Sequence, residues 1–400
     1  ILLSCLKIGV SESVNLMKFF WFIFSGIFFF IFFAQELNDC LASYAQESPS
    51  EEEKLVQVLL SEQYGQVIAD FHTSDPATKK EKIALLTKTL ENQNFWIVRQ
   101  RSAEALGKIG KEAISALPIL IKTTQDRHGY VCCLAIWALG EMGEDAKESV
   151  PILTQMLHAK DFVIPIKVAE ALGKIGDSAK TAIPELIEAL KYNNPDVRFE
   201  ATKTLGKFHA REAIPELIEL LKNKNFKVRH KAIEVLGKLQ AIEAISALLP
   251  LLHEKEIKIR LVVIESLVEI AEPEKTLPAL LPLLKDPQLE IVYKVANLLG
   301  QKGWAKDEII PILKQALKES DPEKRRNAVN TFGMMRCQEA FTEVLAALQD
   351  PNRDVQYYAI WTLGEIGNDG ASPALTELSK NSPIPKIRQY AEEALAKIKH

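Results

Sequence analysis

Residues 98–110 read VRQRSAEALGKIG, and the leucine-glycine-x-apolar centre of this stretch returns down the chain at nearly constant spacing. The residue ahead of the glycine place is Leu106, Leu139, Leu172, Leu205, Leu236, Leu267, Leu299, Phe332, Leu363 and Leu395, in steps of 31 to 33 residues. Ten copies fill residues 96–400. Self-similarity at this period marks a unit that cannot bury its apolar face alone and does so by stacking on its neighbours.

Each copy reads as two helices. In residues 177–208, DSAKTAIPELIEALKYNNPDVRFEATKTLGKF, the first helix carries Ile183, Leu186, Ile187 and Leu190 at spacings of three and four, which makes one apolar stripe. Pro184 falls in its first turn, and the same place holds Pro118, Pro151, Pro215, Pro278, Pro311 and Pro373. The first turn has no partner for the missing N–H, so these prolines are expected to start helices. The second helix is announced by Asp126, Asp161, Asn194, Asn225, Asp286, Asp321 or Asp350, short acceptors suited to N-capping. Within it, residues nine, five and one before the glycine, such as Val197, Ala201 and Leu205, share the buried face. The small middle residue lets helices approach.

These units resemble HEAT repeats in the short form of the phycobilisome lyase group, which carry a Val-Arg, an Ala-Leu-Gly-x-Ile-Gly and a proline-led first helix. The valine and arginine stand at Val98-Arg99, Val197-Arg198 and Val228-Arg229, with Ile259-Arg260, Ile387-Arg388 and Lys324-Arg325 as variants. Cys132, Pro165, Val292 and Gln356 depart from the pattern. The resemblance covers residues 77–400 and implies an all-α fold, a right-handed α-α superhelix (HEAT/armadillo-like solenoid) of about ten two-helix repeats. The signatures of ankyrin and TPR arrays, which have similar periods, are absent.

Ahead of the repeats, residues 46–76 read as a linker and an N-terminal capping helix, opened by the capping box of Ser50 and Glu53 and bent or divided at Gly65. Residues 1–45 read as a leader. Residues 1–16 lack a methionine and are taken as lying upstream of a start at Met17; residues 17–34, MKFFWFIFSGIFFFIFFA, form a hydrophobic signal peptide or membrane anchor. Lys7 and Lys18 precede the apolar run while Glu36 and Asp39 follow it, which places the repeats across the membrane. The expected location is therefore exported, periplasmic or extracytoplasmic, or anchored in the cytoplasmic membrane.

The formal charge of -4 over 400 residues points to no polyelectrolyte partner. Five cysteines show no CxxC pair, and of seven histidines only His253 sits in a His-Glu dipeptide, too few ligands for the metal pairs of HEAT-like hydroxylases. No catalytic, cofactor-binding or metal-binding residue is assigned, and no enzyme activity is expected. The recurring arginine is either an anion site or, more simply, a pairing partner for the acidic caps of adjoining copies.

The resemblance implies that the exposed face of the second helices lines the concave side, the surface on which a partner is expected. The place three before the glycine lies nearly opposite the buried leucine and should face solvent. It holds Glu104, Glu170, Lys203, Glu234, Glu265, Asn297, Asn330 and Glu393, but also Trp137 and Trp361. This mostly acidic row argues against nucleic acid. One turn earlier come Phe199, Tyr293 and Tyr357. Exposed aromatics are the stuff of interface hot spots, so Tyr130, Trp137, Phe199, Tyr293, Tyr357 and Trp361 are expected to contact a protein or peptide partner; the alternative is partial burial between neighbouring second helices. The reading is a non-catalytic, exported or membrane-anchored scaffold. Its alternative is a phycobilisome-lyase-like chromophore lyase or lyase-chaperone subunit.

Overall fold

The computed structural model describes residues 50–398 apart from residues 62, 93 and 162. The leader expected over residues 1–45, with its apolar run 17–34, lies outside the described residues. Among those described there is no strand, and no helix is long and apolar enough to cross a membrane. The described residues fall into two compact halves, divided between Glu185 and Leu186.

The first half opens on Glu51–Leu60, where the Ser50 hydroxyl accepts from the Glu53 N–H at 3.2 Å and the Ser50 N–H donates to the Glu53 carboxylate at 2.7 Å. The capping box is as the spacing anticipates. The division that follows comes at Ser61 rather than at Gly65: the Ser61 hydroxyl donates to the Val58 carbonyl and accepts from the Gln63 N–H, ending one helix before Tyr64–Thr73 begins. Pro76–Thr89, capped by Asp75, is the first helix of the first copy. The second helices of this half are α1 (Trp96–Ile109), α2 (Gly129–Met142) and α3 (Ile164–Ile175). Those of the other half are α4 (Pro195–Lys207), α5 (Phe226–Lys238), α6 (Ile257–Ile270), α7 (Leu289–Gln301), α8 (Pro322–Met334), α9 (Arg353–Ile366) and α10 (Pro385–Ile398).

After Pro76–Thr89 the first helices are shorter, and most enter through a 3-10 turn, as Gly110–Ala116 leads into Leu117–Thr123. Pro118, Pro151, Pro215 and Pro373 sit in first turns as expected. Pro278 and Pro311 do not. In those copies the α-helix starts a turn earlier, at Pro273 and at Lys306, so each proline lies inside and removes one hydrogen bond. The earlier start at Lys306 follows Ala305, whose φ of 52° turns the chain, and is favoured by Asp307 and Glu308 at the positive helix end.

What sets the second helices against one another is the glycine. A methyl group on Gly140 would lie 3.0 Å from the Ala171 Cα, and one on Gly237 would lie 2.7 Å from the Ser266 Cα. Gly107 meets Ala138, Gly206 meets Val235, and Gly364 meets Ala394, in each case the residue two before the next glycine place. At Gly107, Gly140, Gly237 and Gly364 the facing atoms include backbone, while at Gly206 they are the Val235 side chain; none of these places has room for a side chain of its own. Polar residues at that place bond across the joint: the Ser266 hydroxyl donates to the Ile233 carbonyl and the Thr362 hydroxyl to the Val329 carbonyl, both at 2.9 Å.

A second tie runs through the recurring arginine. Arg99 donates to the Asn92 carbonyl at 2.8 Å, closing the end of its own first helix, and grips Asp126 of the next copy with Nε and Nη2 at 2.6 and 3.0 Å. Arg325 does the same with the Glu319 carbonyl and Asp350, and Arg260 with the Leu252 carbonyl and Asp286. Asp126, Asp286 and Asp350 are not themselves the helix caps. Each stands two residues earlier and accepts the N–H of the cap residue, His128, Gln288 or Asn352, whereas Asn194, Asn225 and Asp321 cap directly. Where Cys132 or Gln356 replaces the arginine, the Cys132 thiol reaches the Thr124 carbonyl and the Gln356 amide reaches the Asp350 carbonyl, so the carbonyl is still served.

Two measurements probe these ties. Alanine is normally about 1 kcal/mol better than glycine inside a helix. Gly140→Ala is expected to reverse that sign and lower the thermal midpoint, while Gly65→Ala, which would meet nothing within 4 Å, is expected to raise it. Equal responses would remove the close-contact account. The Arg260 guanidinium beside Asp286 holds its carboxyl below the usual aspartate range, and Arg325 outweighs burial to do the same at Asp350. A depressed carboxyl contributes stability that is present above its unfolded value, about 3.9, and lost as pH falls through the folded one. Urea midpoints should thus be flat from pH 7 to 5 and drop below about pH 4, and Asp286→Asn, less stable at pH 7, should show a smaller drop.

Candidate functional site

Rows of side chains on the second helices meet solvent, and over much of the chain they are charged and paired. In the first half Lys174 bridges Glu141 at 2.6 Å and Glu170 at 3.1 Å, with Lys167 at 3.2 Å from Glu170. In the second half Lys203 pairs with Glu200, Lys231 and Lys238 with Glu234, and Lys294 with Glu265. Burial opposes ionisation of Glu234, but its two lysines prevail and hold its carboxyl below the usual range. Such exposed pairs add little stability, but they leave the row with its charges matched.

On α8, α9 and α10 the surface changes character. A groove of about 510 Å³ is lined by Asn330 and Met334 from α8, Asp354, Tyr357, Tyr358 and Trp361 from α9, and Lys386, Tyr390, Glu393, Ala394 and Lys397 from α10. Tyr357 and Tyr390 meet edge to face, centroids 5.7 Å apart at 87°. The Lys386 ammonium lies 5.1 Å from one centroid and 5.5 Å from the other. Met334 is 55% exposed and Tyr358 39%, unusual for large apolar residues on this protein. Volume, rings and a few convergent charges are the features of a ligand-binding concavity.

Of the six residues singled out from the sequence, the structure brings two together here, Tyr357 and Trp361. Trp361 does not project into solvent. Its indole lies over Gly333, against the atoms that a side chain there would meet, and is half-buried. Trp137 lies over Gly107 in the same way. In these two copies the residue three before the glycine thus reaches the previous copy's glycine, and a flat ring folds into the space that the missing side chain leaves. Tyr130 stands apart, 65% exposed beside His128, which stacks on Trp96 at 4.0 Å with rings 7° from parallel. Phe199 is half-buried with the Lys231 ammonium 5.8 Å from its centroid.

Tyr293 is a correction. It is only 6% exposed, and its hydroxyl donates to Glu319 at 2.8 Å; burial and then Glu319 push its phenol up to about 12. The extra reach of the phenol carries it to the loop after Lys306–Ala316, which places it in the core. Tyr358, Tyr390 and Met334 were not anticipated. The two tyrosines stand six before the glycine place, one residue beyond the row that holds Tyr357. Elsewhere that place holds Arg101, Lys167, Glu200, Lys231 and Lys294, with Leu134, Val262 and Asn327 as uncharged exceptions, so the one available signal was that only the last two copies put rings there.

A family profile for HEAT repeats matches residues 83–163, 117–191, 183–267 and 310–396. No curated protein sequence matches the chain. Among solved structures it is similar to the Kap95:Nup1 complex at 13% identity and a TM-score of 0.59, over 87% of this chain and 54% of that one. It is similar to Kap121p bound to Nup53p at 16% identity and a TM-score of 0.50, over 87% and 45%. The CpcE and CpcF complex of phycocyanin lyase from Nostoc sp. PCC7120 matches at 20% identity and a TM-score of 0.39, over 62% and 94%. The chain spans about half the length of the Kap95 and Kap121p chains, and at these identities the likeness is one of fold. With well over half of its residues inside the matched ranges, and with two-helix units joined glycine to small residue, the chain belongs to the HEAT-repeat family.

Proposed function

We propose that this protein is a non-catalytic scaffold that binds a protein or peptide partner through the aromatic groove on α8–α10. The observation that carries the reading is the gathering of Tyr357, Tyr358, Trp361, Tyr390 and Met334 around one concavity, on a face that in α3, α4, α5 and α6 carries paired charges. Tyrosine and tryptophan dominate binding hot spots because they offer large apolar area at little entropic cost. The Kap95 and Kap121p structures show HEAT-like chains in complex with Nup1 and Nup53p, which lends the reading support by analogy of fold. Tyr130, with Trp96 and His128, is a second and smaller contact surface. Trp137 and Phe199 serve as half-buried packing, each in its own half, and Tyr293 as core.

Export or membrane anchoring by residues 17–34 belongs to the same proposal, since an apolar run flanked by lysine before and carboxylates after is the pattern of a translocated segment. In the alternative, the chain would serve a chromophore lyase inside the cell.

Capture on the immobilised protein tests the site. A partner held by the native chain should be lost from a Tyr358→Ala and Tyr390→Ala double variant of unchanged thermal midpoint, and kept by Tyr130→Ala; the opposite pattern moves the site to the first half. Fractionation tests the location. The chain is expected in the membrane or beyond it, and a soluble cytoplasmic pool with visible pigment absorbance would favour the lyase alternative.

A further inference from the structure

The groove on α8–α10 carries a charge pattern that names the chemistry of its occupant. Its walls are four rings, whose faces are negative and attract cations. The chain demonstrates this on itself, for the Lys386 ammonium already lies over Tyr357 and Tyr390. Both lysines of the lining are thus engaged, Lys386 by the rings and Lys397 by an ion pair with Glu365. The carboxylates are not. Asp354 and Glu393 are both exposed and belong to no ion pair among the described residues, although Glu393 accepts from the Gln389 amide at 2.9 Å. On other second helices the equivalent acids, Glu170 and Glu234, each hold two lysines.

We infer that the groove takes an extended basic segment of a partner, with arginine side chains laid on the rings and paired with Asp354 and Glu393. This rests on the reading of the groove as the binding site. Arginine fits better than lysine because its planar guanidinium stacks on an aromatic face while its edge donates to a carboxylate. A groove of about 510 Å³ has room for more than one such side chain, which points to a segment rather than a single free amino acid. An acidic segment would meet two carboxylates with no free ammonium to answer it.

The test uses three fluorescein-labelled twelve-residue peptides in which proline alternates with arginine, glutamine or glutamate, proline keeping each extended. The full chain, in a mild non-ionic detergent, is titrated into each and followed by anisotropy. The arginine peptide is expected to bind, more weakly as salt is added, and the glutamate peptide to fail. Asp354→Asn with Glu393→Gln should weaken arginine-peptide binding about tenfold, and Lys386→Gln should tighten it. Glutamine or glutamate peptides binding as well as arginine, with binding lost on Tyr358→Ala and Tyr390→Ala, would overturn the basic occupant and leave the groove standing. Arginine-peptide binding indifferent to both the carboxylate and the ring variants, or no binding by any peptide, would also overturn it; the capture experiment then decides the groove by itself.

Discussion

Backbone contact at the glycine is the constraint on which the rest of the stack depends. Because Gly140 lies so near Ala171, and Gly237 so near Ser266, the axes of those second helices are held at a distance that no side chain at the glycine place would allow; α6, with Val268 there, is the departure. The partner residue two before the next glycine must then be small or slender, and it is alanine, serine, threonine or valine at the contacts described. Repeat length follows from the same joint: loops vary by a residue or two, and the period stays at 31 to 33 because the two contact places must meet. Leu106, Leu139, Leu236 and Leu363, fully buried, fill the space beside it.

The arginine tie works on the other side of each joint. A buried guanidinium and carboxylate are costly to desolvate, and their attraction does little more than offset that cost. What the arrangement supplies is satisfaction of groups that the fold itself strands. First helices are short and end in carbonyls with no helical partner, and Arg99, Arg229, Arg325 and Arg388 each donate to one of them. Cys132 and Gln356 serve equivalent carbonyls without any charge, whereas Pro165 and Val292, at the same place, carry no side-chain donor, so the carbonyl is served in most copies rather than in all. The acid two residues before the cap is then free to vary, and at α6 its role passes to Glu256, which pairs with Arg229 at 2.9 Å.

Most of this was legible in the sequence, because the repeat multiplies each signal tenfold. The period, the apolar stripe, the capping box at Ser50 and the pairing of arginine with acids of the next copy all follow from residue type and spacing. Three things did not follow, each for a physical reason. Whether a proline starts a helix or lies within it depends on where the chain ahead can turn, which at Pro311 is decided by Ala305. The depth of an aromatic depends on what stands opposite, so Tyr293 is core while Tyr358 is surface. A helical wheel places a residue on a face but does not reveal that the facing helix has a hole. The tryptophans at 137 and 361 look exposed until Gly107 and Gly333 are seen beneath them.

That hole also explains how a regular stack acquires a specific surface. If every copy keeps the same joint, every copy presents the same rows, and recognition can arise only from departures within those rows. The charged rows neutralise themselves and so discriminate little. On α9 the departure is compound: Trp361 settles into the space over Gly333, which lays its ring flat, and Tyr357 meets Tyr390 from the following copy at right angles. Trp137 has the same seat on Gly107, but its row continues into Cys133 and Leu134, and α3 of the next copy carries no aromatic residue to answer it. A tryptophan seated on a glycine is thus a packing device that any copy can adopt, and it becomes part of a binding groove only where the neighbouring copies place tyrosines beside it.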